Sequence, residues 1–160
     1  MKKTHSTLAL LVLGLSVLLA GCSSVGKPDS ITVTLVDLKA GTPATKEAQL
    51  VATLRFTSES LNAFGFSGSA HKLYCNGSYL GRAVSHTPLG LPPLTTITRD
   101  LPLVLENPAL VRQVLAAAGA SGARYRLDTV LTATNGEDEV TVKSSAEGTV
   151  DLSHLPAWAR

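Results

Sequence analysis

Successive side chains of an extended strand point to opposite faces, so alternating apolar and polar residues commit a chain to half-buried sheet. This chain of 160 residues alternates again and again. Ile31, Val33 and Leu35 interleave with Thr32 and Thr34. Leu50, Ala52, Leu54 and Phe56 interleave with Gln49, Val51, Thr53 and Arg55. Phe64 to Cys75 reads as a third strand, interrupted at Gly65 and Gly68. Tyr79 to His86 returns from Asn76-Gly77, a dipeptide that tolerates the positive φ angles of a two-residue hairpin. After a loop with Pro88, Gly90, Pro92 and Pro93, the residues Ile97, Leu101, Leu103 and Leu105 share a face on another strand. Tyr125, Leu127, Thr129 and Leu131 alternate next. A second hairpin turn at Asn135-Gly136 leads into a last extended region that opens with Val140 and Val142 and reaches Leu152.

One segment departs from this period. Asn107 is a good N-cap, Pro108 suits a first helical position, and Gly119 suits a C-terminal stop. Between them Leu110, Val111, Val114, Leu115 and Ala118 form one stripe at helical spacing, suited to lie as a lid on a sheet edge or core. About seven strands and one short helix predict an all-β antiparallel sandwich. The pattern shows no internal repeat and no second domain.

The N-terminus is of another kind. Met1-Lys2-Lys3 is basic, and Leu8 to Ala20 is apolar apart from Gly14 and Ser16. That run has the length of a secretory core and falls short of the ~20 residues of a membrane span. It ends in Leu18-Leu19-Ala20-Gly21-Cys22, which resembles the lipobox of bacterial lipoproteins. The resemblance implies cleavage between Gly21 and Cys22, acylation of the Cys22 thiol, and a mature chain that begins at Cys22. Ser23 and Ser24 follow, with no Asp at that place, which by resemblance to Gram-negative lipoproteins implies transport to the outer membrane with the domain facing the periplasm. In a Gram-positive cell the same signal implies the plasma membrane. The expected organisation is a signal peptide at 1–21, a lipidated tether at 22–30, a β-domain at 31–152 and a C-terminal tail at 153–160, with Trp158 packed back on the domain. An acylated Cys22 leaves Cys75 without a disulfide partner, and a small buried thiol is the expected state.

The order of elements also resembles the late embryogenesis abundant group 2 family, known too as the water stress and hypersensitive response domain. The resemblance runs from about Ile31 to Leu152. It is carried by the stretch from Leu73 to Gly81, by Leu91-Pro92-Pro93-Leu94 leading into Leu101-Pro102-Leu103-Val104-Leu105, and by Tyr125-Arg126-Leu127. It implies a fibronectin type III-like or immunoglobulin-like sandwich and a non-enzymatic protective role under desiccation or osmotic stress. This chain departs from the family at Ser58-Glu59-Ser60, where Asn-Pro-Asn is common, at His71 in place of Tyr, and at Ala83 in place of Gly.

The remaining residues narrow the chemistry. Removing Lys2 and Lys3 with the leader leaves 12 basic residues, and the chain's acidic residues also number 12, so no cationic footprint for nucleic acid remains. Ser69 and Lys72 match a bare Ser-x-x-Lys pattern, but on a strand they face opposite ways. His71 and Cys75 share a face yet lie about 13 Å apart along a strand, too far for one zinc ion. His86 and His154 are isolated, His5 leaves with the leader, and a solvent-facing or partly packed histidine is expected at each mature position. Glu137-Asp138-Glu139 reads as a solvated turn rather than a calcium site. The Asn76-Gly77-Ser78 sequon is explained by its turn. No catalytic, cofactor or metal residue is expected. The expected partners are membrane lipid through Cys22 and an envelope protein, the latter as an alternative role: an accessory subunit of a transport or secretion assembly.

Overall fold

The computed structural model describes residues 30–41, 50–118, 122–135, 138–153 and 155. The leader, the lipobox with Gly21 and Cys22, the helix stop at Gly119, the Gly136 turn and Trp158 lie outside the described residues.

Among the described residues nine strands and one helix form: β1 (Ile31–Ala40), β2 (Leu50–Ser58), β3 (Phe64–Phe66), β4 (Gly68–Cys75), β5 (Ser78–Ser85), β6 (Leu89–Leu91), β7 (Thr96–Leu105), α1 (Pro108–Ala118), β8 (Ala123–Asn135) and β9 (Asp138–Val150). Seven of the strands make one antiparallel sheet in the order β1-β2-β7-β5-β4-β8-β9. The sheet curls until its outer strands, β1 and β9, lie against each other. The two layers of the expected sandwich are therefore halves of one sheet, nearly closed into a barrel. Twist accumulates with one hand across neighbouring strands, and near-closure hides the hydrogen-bonding edges that an open sheet would expose.

The inward faces fill the barrel. Val33, Leu54, Phe56, Leu73, Leu103, Leu127 and Leu131 are all buried in a single cluster. Each such side chain contributes roughly 1.5–3 kcal/mol relative to an exposed one. Two irregularities tune the pattern. On β1, Leu35 opposes Leu54 but Asp37 opposes Thr53, so Val36 is an extra residue and Leu38 turns inward. On β5, Tyr79 opposes Tyr74 and Gly81 opposes Leu73, so Leu80 is the extra residue.

Separate lids close the two ends. Asn107 caps α1, its Oδ1 accepting from Ala109 N at 3.1 Å, and the helix buries Val111 and Leu115. Leu115 borders the same small void as Leu38, Cys75, Leu80 and Leu152, at the end of the barrel where β4 turns into β5. At the other end β3 and β6 pair as a two-stranded ribbon, Phe64 opposite Leu91 and Phe66 opposite Leu89. The sequence places a single strand at 64–75 and a plain loop at 88–93; the chain instead breaks at Ser67 and a short strand forms within the loop. The reason is burial: Phe66, Leu89 and Leu91 face inward over the barrel end, and only pairing satisfies their backbone. Packing also extends past 152, since Leu155 is buried.

Candidate functional site

The outer face of β5-β4-β8-β9 carries an open depression of about 650 Å³. Strand register builds it row by row. In the central row Arg82, Lys72, Asp128 and Ser145 stand side by side across the four strands. The next row holds Val84, Ala70, Val130 and Lys143, giving the depression an apolar floor. The row on the other side holds Tyr79, Tyr74, Arg126 and Glu147.

The charges on this face are unevenly matched. Asp128 is engaged on both oxygens: Ser145 Oγ donates to Oδ1 at 2.8 Å, and Arg126 Nε lies 3.5 Å from Oδ2. Arg126 also stacks over the Tyr74 ring, 4.1 Å from its centroid, and the Tyr74 and Tyr79 rings are 5.3 Å apart. Lys72, Arg82 and Lys143 have no carboxylate within ion-pair distance among the described residues. Three cations thus rim an apolar floor. Such a surface suits weak, exchangeable contact with acidic or amphipathic partners, since exposed ion pairs contribute only about 0–1 kcal/mol each.

Beneath this face lies the one buried histidine among the described residues, His71. The sequence reads His71 as solvent-facing or partly packed; in the structure it is 1% exposed. Its position on β4 shares the inward face with Leu73 and Cys75, so the alternation that buries them buries the imidazole too. Nδ1 is 2.9 Å from Thr129 Oγ1, Nε2 is 3.0 Å from Ser69 Oγ, and the ring meets Phe56 edge-on at 5.8 Å. Both nitrogens are satisfied by hydroxyls, which suits a neutral ring. Burial pushes the imidazole down to about 4. Ser69 and His71 stand as a serine–histidine pair, but the third group is a threonine hydroxyl where an acyl-transfer triad has a carboxylate. A base that holds its proton only near pH 4 is a weak one at neutral pH.

Lys72 points outward, away from Ser69, as alternation requires. Cys75 is 3% exposed, with its thiol pushed up by burial, so it is a packed side chain of the core. No group of His, Cys, Asp and Glu suited to a metal ion occurs among the described residues. His86 is exposed, and His154 lies outside the described residues. Asn76 and Gly77 take φ of 48° and 80°, the two positive values of a type I′ turn, and Asn76 Oδ1 accepts from Arg124 N. The sequon asparagine is occupied with the turn. Sequence reasoning missed the cationic rim; alternation alone turns Lys72 outward, but Arg82 joins it only through the unforeseen bulge at Leu80.

No family model matches the chain, and no curated protein is significantly similar to it. Solved structures do share its architecture. A chain from Arabidopsis thaliana, determined in solution, aligns over 76% of this chain and 80% of its own with 20% identity and a TM-score of 0.54. A protein from Archaeoglobus fulgidus aligns over 76% of this chain and 94% of its own, with 18% identity and a TM-score of 0.45. A candidate late embryogenesis abundant (LEA) protein aligns over 94% of this chain and 86% of its own, with 13% identity and a TM-score of 0.42. The class defined here is an all-β domain with a nearly closed antiparallel sheet. The Arabidopsis chain carries that same fold.

Proposed function

We propose that this chain is a non-enzymatic envelope lipoprotein with a domain of the late embryogenesis abundant group 2 type, which protects other proteins under desiccation or osmotic stress. Cys22 is its anchor, acylated after cleavage at Gly21-Cys22, and the domain faces the periplasm from the outer membrane of a Gram-negative cell. The observation that supports the protective reading best is the outer sheet face. It is broad, shallow and mixed in character, a cationic rim around an apolar floor, which favours many weak contacts over one tight fit. Weak contacts of this kind keep client surfaces apart as water is withdrawn, and they turn nothing over.

The role is tested by drying or freezing a labile enzyme with the purified, unlipidated domain. Equal masses of albumin and of the Leu103→Asp variant serve as controls, and protection above both is expected. Protection no better than albumin refutes it. A stable, stoichiometric partner recovered from crosslinked envelopes would then favour the second reading, an accessory subunit of an envelope transport or secretion assembly that docks through an edge strand or the helix. The anchor is tested separately. A palmitate analogue should label the wild type and not Cys22→Ala, and labelling of both or of neither refutes acylation at this residue.

A further inference from the structure

We infer that the barrel end capped by β3 and β6 is a membrane-contacting tip, and that Leu61 and Leu94 seat in the interface of the bilayer that holds the chain. The inference rests on the anchoring reading above. Leu61 is 79% exposed and Leu94 63% exposed, the two most exposed large apolar side chains among the described residues. They sit on adjoining loops at the same end, joined where Leu94 N donates to Ser60 O at 3.0 Å. Single exposed leucines are common on any surface, but this pair is held out by construction. Ser58 N donates to Thr95 O, Asn62 N to Ser60 Oγ, and Thr95 Oγ1 to Pro92 O, so both loops are fastened while their leucines point to solvent.

Three further observations point to a bilayer. Leu94 holds φ at 51°, a left-handed conformation in which a leucine is strained and a glycine is not. Strain retained at an exposed position marks a side chain kept for something other than stability. The two segments that carry these leucines, 60–70 and 87–98, contain no Lys, Arg, Asp or Glu, and the exposed carboxylates of this end, Glu59 and Glu139 of the β8–β9 hairpin, lie outside them. The tether also arrives here: Glu59 N donates to Ser30 O at 2.9 Å, fixing the last tether residue to the Leu61 loop. From Cys22 to Ser30 a chain reaches at most about 28 Å. The ten residues of β1 then carry the α1 end about 33 Å further off, so an acylated Cys22 keeps the leucine end the nearer one.

The test uses a nitrobenzoxadiazole probe on single introduced cysteines, Leu61→Cys, Leu94→Cys and Ala116→Cys, the last on exposed helix at the far end. Buried Cys75 does not compete for the label. Vesicles of phosphatidylethanolamine and phosphatidylglycerol receive the chain in two ways: as the acylated lipoprotein, and as a Cys22→Ser chain held by an N-terminal His tag on nickel-chelating lipid. The expected result is a blue shift and quenching by doxyl-labelled lipid at 61 and 94 and neither at 116. Water-like emission at 61 and 94 on chains that float with the vesicles overturns the inference. Failure of the acylated chain alone to float counts against the anchor, while the nickel-held arm still decides the tip. A second variant separates contact from folding. Leu61→Ser with Leu94→Gly should be at least as stable as the parent in denaturant, yet a probe at Ala63→Cys should lose its blue shift. Retention of that shift overturns the role of the leucines.

Discussion

His71 should make this domain lose stability on mild acidification, by an amount its surroundings fix. An unfolded chain binds a proton at a free imidazole below about 6.5, whereas the folded chain refuses it until about 4, because the buried ring would be charged without water. No neighbouring charge enters; desolvation is the sole cause. The folded value is the lower one, so the contribution is fully present above pH 6.5 and is lost as pH falls toward 4. Between pH 7.5 and 4.5 the linkage relation gives a loss of about 2.5 kcal/mol, or roughly 10 °C in melting temperature for a domain of this size. Urea unfolding at half-unit pH steps measures it, with His71→Gln as the comparison. That variant keeps polar contact with Ser69 and Thr129 but cannot titrate. Exposed carboxylates such as Asp100, held low chiefly by the hydrogen bond from Thr53, are common to both proteins and cancel in the difference. An imidazole resonance titrating near 6.5, or an equal pH slope in His71→Gln, refutes the reasoning.

Three other outcomes follow from packing. Leu54→Asp and Leu103→Asp each place an unpaired charge at a position with no more than 1% exposure, and neither should fold; a cooperative melt from either would displace these residues from the core. Gly81→Ala should cost about 2 kcal/mol or more, because a Cβ there would stand 2.2 Å from Val104 O across the β5–β7 ladder; an unchanged denaturation midpoint would mean the strands are not so close. Cys75 should react with iodoacetamide only as fast as the domain opens, so rapid alkylation of the native protein would contradict its burial.

Much of this molecule was legible in the residues because periodicity and turn chemistry are local. The all-β class, the type I′ turn at Asn76-Gly77, the Asn107 cap and the inward faces of β2, β7 and β8 each need only a few neighbours to be decided. The elements that were missed depend on distant partners. β6 is a strand because Leu89 and Leu91 cover a barrel end beside Phe64 and Phe66, and nothing in Pro88 to Pro93 announces that. His71 is buried because Phe56, Ser69 and Thr129 enclose it, and a lone histidine on an alternating strand does not reveal its enclosure.

The outer face shows the division most sharply. Counting back from a two-residue turn pairs Lys72 with Gly81, and would set Arg82 beside His71 on the inward face, where an unpaired guanidinium is costly. The extra residue at Leu80 shifts the register by one, brings Arg82 outward opposite Lys72, and so creates the cationic rim. The sequence by itself determined that strands would form, where they would turn, and which side chains prefer the interior, because propensity and alternation act over a few residues. Tertiary structure alone decided the register, the curling that brings β1 to β9, and the gathering of Leu61, Leu94 and the end of the tether at one tip, because these depend on where a twisted sheet carries residues distant along the chain.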